Sequence, residues 1–139
     1  MFYLDTSFIA PAFVHEAQSE ACLDWLAAKA AGSLYASAWV QTEFASAVAR
    51  KRRQREIRPS HAAAALTGFN DWLGNSCVLL PVEVIDFERA AAMIGQPGVS
   101  LRAGDALHLA VVERGHLALK SYDSGLLRAA KALGISIAD

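Results

Sequence analysis

Four acidic residues of this sequence are placed where their side chains could meet: Asp5, Glu43, Asp105 and Asp123. Asp5 directly follows the uncharged segment 1–4, and Asp123 follows segment 117–121; both segments have the pattern of buried strands. Asp105 begins a segment that is apolar on nearly every side, and Glu43 flanks the apolar stripe of a long helical pattern. Each acid also has a purely structural interpretation, as a helix cap, a first-turn acid or the partner of an arginine.

Taken together, the four acids favour binding of a divalent cation. Clustered carboxylates repel one another and lose hydration, so their convergence is costly unless a cation lies between them. Without metal, their pKa values should therefore be raised. Hard oxygen ligands without histidine or thiolate select Mg²⁺ or Mn²⁺. Such an ion suits phosphodiester hydrolysis, because it lowers the pKa of a bound water and stabilises the leaving oxygen.

Other familiar chemistries lack their motifs. The sequence contains no G-x-G-x-x-G, no G-x-x-x-x-G-K-[ST], no H-E-x-x-H and no G-x-S-x-G. The four histidines have no ligand spacing with the two cysteines, and His108, inside an apolar segment, is interpreted as a hydrogen-bonded core residue. A non-catalytic module that binds RNA or a protein partner, with its acids serving only as caps, remains an alternative.

The elements that would position the acids alternate between strand and helix. Strands are predicted at the N-terminus and at 34–37, 77–82, 117–121 and 135–137, with helical patterns between them. This alternation is typical of one three-layer α/β domain, here spanning 1–139, with a mainly parallel five-stranded sheet and helices on both faces. The carboxyl ends of parallel strands share one edge of the sheet, which is where ligands bind.

A basic segment interrupts an otherwise acidic chain whose net charge is −1. It contains six of the 13 basic residues, namely Arg50, Lys51, Arg52, Arg53, Arg55 and Arg58. Four of them are candidates for binding an RNA backbone: Arg50, Arg52, Arg53 and Arg55. The alternative is a solvated helix end whose cations favour the negative pole of the helix dipole.

Composition indicates a globular protein without a membrane segment. Hydrophobic residues make up 54% of the chain, yet no apolar run reaches the roughly 18 residues of a membrane-spanning helix. The N-terminus has no basic leader, and Cys22 and Cys77 form no C-x-x-C pair, which together predict a cytoplasmic protein with reduced thiols. Three tryptophans belong either to the core or to a protein interface: Trp25, Trp39 and Trp72.

Several segments resemble the successive motifs of PIN-domain ribonucleases. They are Leu4-Asp5-Thr6-Ser7, a helical Glu43, the run Arg102–Ala110 and Ser121-Tyr122-Asp123. The resemblance extends over the whole chain, and the segment around Asp105 is its most specific part. The size of the chain suggests the VapC-like toxins of bacterial and archaeal toxin–antitoxin pairs.

The resemblance implies a metal-dependent endoribonuclease. Its one or two Mg²⁺ or Mn²⁺ ions would be surrounded by Asp5, Glu43, Asp105 and Asp123. Asp5 and Asp105 would be the principal ligands, with Ser7 and Ser121 in support; Ser121 stands where the family commonly has threonine. The resemblance further implies sheet order 3-2-1-4-5, a homodimer, and inhibition by a small antitoxin across the catalytic groove. A housekeeping RNA-processing nuclease of the same family is the alternative.

Overall fold

A computed structural model describes every residue from 1 to 139 and contains four strands and seven α-helices. The strands are β1 Phe2–Leu4, β2 Leu34–Ser37, β3 Val78–Leu80 and β4 Ala118–Lys120. The helices are α1 Thr6–Ile9, α2 Ser19–Ala27, α3 Ala38–Arg53, α4 Pro59–Ser76, α5 Val84–Ile94, α6 Ala103–Arg114 and α7 Ser124–Ala132. All strand pairs are parallel and the order is β3-β2-β1-β4, which confirms the predicted α/β fold.

The predicted fifth strand is reduced to a single pairing. Ile137 forms an isolated parallel bridge with Leu119, so it occupies the fifth position of the predicted order. Two backbone hydrogen bonds of 2.8 Å hold it, from Leu119 N to Ser136 O and from Ala138 N to Leu119 O. These bonds attach the segment to β4 at one residue only, so the prediction of a fifth strand was wrong in extent.

Helices cover both faces of the sheet. Tyr3 and Leu4 are consecutive residues of β1, and both have 0% exposure. Because successive side chains of a strand point to opposite faces, both faces of β1 must be buried. Ala36 and Ser37 show the same complete burial on β2. The central strands therefore lie in the middle layer of three, as predicted.

The pairing of β1 with β4 determines where the acidic residues go. Leu4 is in register with Lys120, and the Asp5 amide donates to the Lys120 carbonyl at 3.0 Å. The chain leaves both strands at the same edge of the sheet. Asp5 and Ser121 are consequently neighbours although 116 positions separate them.

The tryptophans are half-buried and do not form the exposed apolar surface. Trp25 and Trp72 pack against the main core, and Trp39 packs against a small cluster around α6. Six of the ten exposed large apolar side chains lie on β3 and α5, namely Val78, Leu79, Val84, Ile85, Phe87 and Ile94. None of the helices combines the length and hydrophobicity needed to span a bilayer.

Candidate active site

One cleft at the carboxyl edge of the sheet contains all four acidic residues. Its volume is about 870 Å³, and its walls include Asp5, Glu43, Asp105 and Asp123. Each acid comes from a different element or junction: the end of β1, the middle of α3, the first turn of α6 and the start of α7. The sheet edge thus gathers residues that are far apart in the chain.

Asp5 is buried and held by three donors. Its Oδ2 accepts hydrogen bonds from the Ser7 amide at 3.2 Å, the Ser7 hydroxyl at 2.5 Å and the Ser121 hydroxyl at 2.8 Å. The amide contact makes Asp5 the N-cap of α1. Its other oxygen, Oδ1, lies 3.4 Å from His108 Nε2. The cap interpretation and the cleft position therefore both apply to Asp5.

Glu43 is held in a similar way through one oxygen. Its Oε2 accepts from the Thr6 hydroxyl at 2.5 Å and is 2.6 Å from His108 Nε2. Burial raises the pKa of Glu43, but the hydrogen bond and charge of His108, with the Thr6 hydroxyl, outweigh burial and leave the pKa below its ordinary value. The expectation that every acid of the cluster has a raised pKa is therefore wrong for Glu43.

Asp123 and Asp105 line the same cleft, but they lie outside the closest group of ligand atoms, which Asp5, Glu43 and His108 form. Asp123 Oδ1 caps α7 by accepting from the amides of Gly125 at 2.7 Å and Leu126 at 2.9 Å. Asp105 belongs to the first turn of α6. Burial raises the pKa of Asp105, and the charges of Asp123 and Asp5 raise it further. Asp105 thus carries the electrostatic cost that convergence of the acids predicts.

These residues suit a divalent cation. The donors are mainly carboxylate oxygens, which favour hard ions such as Mg²⁺ and Mn²⁺. Ligand atoms of Asp5, Glu43 and His108 lie within 4.8 Å of one another. Asp5, Glu43 and Asp123 each have one oxygen engaged by protein donors, which fixes the orientation of the carboxylate.

The family model for the PIN domain matches residues 2–132. The chain belongs to the PIN domain family. Among solved structures, its fold is similar to that of VapC20 from Mycobacterium tuberculosis, a toxin that cleaves the sarcin–ricin loop. The TM-score is 0.76 and the sequence identity is 19%, and the alignment covers 99% of this chain and 98% of that chain. No well-characterised protein has a significant sequence match to this chain.

Two further structures have the same fold as this PIN domain. FitAcB from Neisseria gonorrhoeae gives a TM-score of 0.71 at 18% identity, with 100% of this chain and 97% of that chain covered. FitAB bound to an IR36 DNA fragment gives a TM-score of 0.70 at 19% identity, with 99% of this chain and 94% of that chain covered. At these identities the likeness establishes the fold.

Three residues of the PIN-domain cleft received no role from the sequence. Thr6 donates to Glu43, and Arg102 lines the cleft beside Asp105. Trp39 also lines the cleft, where its indole nitrogen is buried without a hydrogen-bond partner. Thr6 and Arg102 lie inside the segments that resemble PIN motifs, which was the available signal. Nothing in the pattern distinguishes Trp39 from a core tryptophan.

The basic segment divides in two around the cleft. Arg50 and Arg53 line the cleft together with the acids, whereas Arg52 borders a small separate cavity between α3 and α4. Arg55 lies past the end of α3, is exposed and lines neither cavity. Lys51 also lines the cleft but is paired with Glu16 at 2.9 Å. The four arginines predicted to bind RNA are therefore not equivalent.

Proposed function

We propose that this PIN domain is a metal-dependent endoribonuclease that hydrolyses RNA phosphodiester bonds. Its metal-binding and catalytic residues are Asp5, Glu43, Asp105 and Asp123. The observation that carries the proposal is that these acids share one open cleft with the exposed side chains of Arg50, Arg53 and Arg102. Hydrolysis of RNA requires both groups, because acids bind the metal ion and arginines bind the phosphate backbone.

The residues of the cleft have separable tasks. When bound, Mg²⁺ or Mn²⁺ supplies charge neutralisation and activation of water at the phosphate. Asp5 is kept in one orientation by the Ser7 and Ser121 hydroxyls, and Glu43 by Thr6 and His108. Asp105, whose raised pKa reflects burial and the neighbouring charges of Asp123 and Asp5, gains most from a cation that relieves this repulsion.

We further propose that the nuclease is the toxin of a toxin–antitoxin pair and acts in the cytoplasm. Support comes from the shared fold of VapC20, a toxin, and of FitAB, a protein complex bound to DNA. The proposed antitoxin is a small protein that lies across the cleft. An arginine or lysine inserted among the four carboxylates would replace the charge of the metal.

A homodimer is part of the same proposal. Its support is the exposed apolar side chains of β3 and α5, among which Val84 is 77% exposed and Phe87 is 58% exposed. Several exposed apolar side chains on one helix, as on α5, are typical of an interaction site. Light scattering of the purified chain tests the dimer, and Phe87→Glu should shift a dimer towards monomer without loss of fold.

Incubation of the purified chain with assorted RNAs tests the nuclease. Cleavage is expected with Mn²⁺ or Mg²⁺, and it should stop with chelator and in Asp5→Asn. RNA binding without cleavage under all of these conditions would favour the non-catalytic module instead.

Expression in a bacterial host tests the toxin assignment separately. Wild-type chain should arrest growth, and Asp5→Asn should remove the effect. A chain that cleaves RNA in vitro but is harmless when overexpressed would favour a housekeeping RNA-processing nuclease.

A further inference from the structure

A buried chain of polar side chains runs from the interior of the sheet to Glu43. Ser37 Oγ lies 2.7 Å from the Tyr3 hydroxyl, which lies 2.8 Å from His108 Nδ1. His108 Nε2 then lies 2.6 Å from Glu43 Oε2. The exposures of Ser37, Tyr3 and His108 are 0%, 0% and 1%. Four elements therefore meet in one hydrogen-bonded line: β2, β1, α6 and α3.

The donor direction at the end of this line is determined by chemistry. An ionised carboxylate can only accept a hydrogen bond, so Nε2 of His108 must be protonated and donate to Glu43 Oε2. In the neutral ring, Nδ1 then accepts from the Tyr3 hydroxyl; in the charged ring, Nδ1 donates to it. Nε2 is a donor in both cases. The contact to Glu43 consequently persists whichever form the imidazole takes.

Burial of three polar groups for packing alone would be expensive. A buried hydroxyl or imidazole needs hydrogen-bond partners, and apolar side chains of similar size would fill the space around Tyr3 and His108 without that requirement. The line instead satisfies each group in turn and ends on a carboxylate of the cleft. Its end point is what distinguishes it from an ordinary core network.

We propose that His108 is a positioning residue that acts through Glu43, with Tyr3 and Ser37 holding the imidazole in place. This inference rests on the proposed metal-dependent function of the cleft. His108 fixes Oε2 together with Thr6, which leaves Oε1 as the oxygen of Glu43 offered to the cation. Hydrogen-bond partners of metal ligands characteristically orient the ligand in this way.

Direct coordination by His108 is the competing role. It would require an unprotonated Nε2, whose lone pair would then face the lone pairs of Glu43 Oε2 at 2.6 Å. That separation is instead characteristic of a charge-assisted hydrogen bond. The geometry therefore favours donation over ligation, and the two roles give different spectra.

Mn²⁺ affinity, measured by calorimetry on the full chain, tests the proposal. His108→Phe keeps a ring but removes the donor, and should weaken Mn²⁺ binding by roughly 10- to 100-fold. His108→Gln keeps an N–H donor and should retain most of the affinity. Tyr3→Phe removes one hydroxyl from the line and should weaken binding by roughly 2- to 10-fold. Circular dichroism checks that each variant is folded. If His108→Phe does not fold, the Mn²⁺ affinity of Tyr3→Phe serves as the test instead.

The outcomes separate this inference from the proposed function. No Mn²⁺ binding by the wild type, or equal binding by Asp5→Asn, overturns the metal site itself and this role with it. If folded His108→Phe binds Mn²⁺ as tightly as the wild type does, the positioning role alone is overturned. If His108→Phe does not fold, the same result for Tyr3→Phe overturns it. Pulsed electron paramagnetic resonance of the Mn²⁺-loaded protein tests direct coordination. A ¹⁴N hyperfine coupling that is present in the wild type and absent from His108→Phe or His108→Gln would identify His108 as a metal ligand. That result would also overturn the positioning role.

Discussion

The hydroxyl of Ser121 donates to Asp5 Oδ2 at 2.8 Å and thereby joins the end of β4 to the end of β1. The same Ser121 oxygen accepts from the Asp123 amide at 2.9 Å. Ser7 Oγ is 3.1 Å away and also accepts from the Asp123 amide, at 3.2 Å. Two serine hydroxyls thus couple the positions of the first and last acids of the cleft.

Ser121→Ala should impair both stability and cleavage. Loss of the hydroxyl removes one of three donors to a buried carboxylate, which should lower the free energy of unfolding by about 1–2 kcal/mol. Misplaced Asp5 should lower RNA cleavage by roughly 10-fold or more. Urea unfolding and initial cleavage rates measure the two effects. Ser121→Thr keeps the hydroxyl and should remain active; equal rates for the two variants would contradict this role.

Asp105→Asn should stabilise the metal-free protein. The pKa of Asp105 is raised by burial and by the charges of Asp123 and Asp5. Above this raised pKa of the folded state, Asp105 is ionised at a cost that lowers the stability of the fold. The neutral amide removes that cost, and the melting temperature without metal should rise. Metal at about 100 times its dissociation constant should add roughly 2.7 kcal/mol to wild type and much less to the variant. Thermal melts with chelator and with Mn²⁺ compare the two; equal metal-induced shifts would place the ion elsewhere.

Gly104→Ala should reduce cleavage through a local clash. A Cβ at Gly104 would lie 3.2 Å from Glu43 Oε1 and 3.3 Å from Trp39 Nε1, so both groups must give way by a few tenths of an ångström. Gly74→Ala on α4 is the matched control, because a Cβ there meets nothing within 4 Å. The control should gain about 0.5–1 kcal/mol of helix stability and leave cleavage unchanged. Full activity of Gly104→Ala would show that Glu43 Oε1 tolerates displacement.

The two groups of arginines should differ in RNA binding. Arg50→Ala with Arg53→Ala removes charge from the cleft, whereas Arg52→Ala with Arg55→Ala removes equal charge from outside it. The first pair should weaken RNA binding and reduce the salt slope by about 1 per arginine that contacts phosphate. Fluorescence anisotropy over a salt series, on catalytically inactive protein, measures both quantities. Similar losses from the two pairs would indicate a diffuse basic surface.

The ion pair between Asp86 and Arg114 should make stability depend on acid pH. Burial raises the pKa of Asp86, but the Arg114 guanidinium, at 2.7 and 3.0 Å, and the Glu83 amide outweigh burial and leave the pKa below its ordinary value. A depressed pKa gives stability that is fully present above the unfolded value of about 3.9 and is lost as pH falls through the folded value.

Asp86→Asn should therefore destabilise the protein at neutral pH and matter less in acid. Loss of the charged acceptor of Arg114 should lower the free energy of unfolding by about 1.5–3 kcal/mol at pH 7. Urea midpoints should differ by a constant amount above about pH 4, and the difference should begin to shrink as pH falls below about 3.9. A difference that stays constant below this pH as well would mean that packing, and not charge, is responsible.

The alternation of strands and helices was readable from the sequence because both faces of β1 and β2 are buried. Strands of that kind are short apolar runs, and a polar residue ends each of them. The parallel order follows from the resemblance to PIN domains, and the edge rule then indicates where the acids lie. The fifth strand was overestimated, because an apolar triplet cannot reveal that Ile137 alone pairs with Leu119.

The four acids could be named from sequence because their types and positions carry the chemistry, but their individual environments could not. His108 and Glu43 are 65 positions apart, and His108 and Tyr3 are 105 apart. Packing of α6 against β1 and α3 brings them together, and the lowered pKa of Glu43 and the raised pKa of Asp105 follow from those contacts. Local sequence determines which segments form strands and helices, whereas side-chain contacts between distant segments depend on how those elements pack.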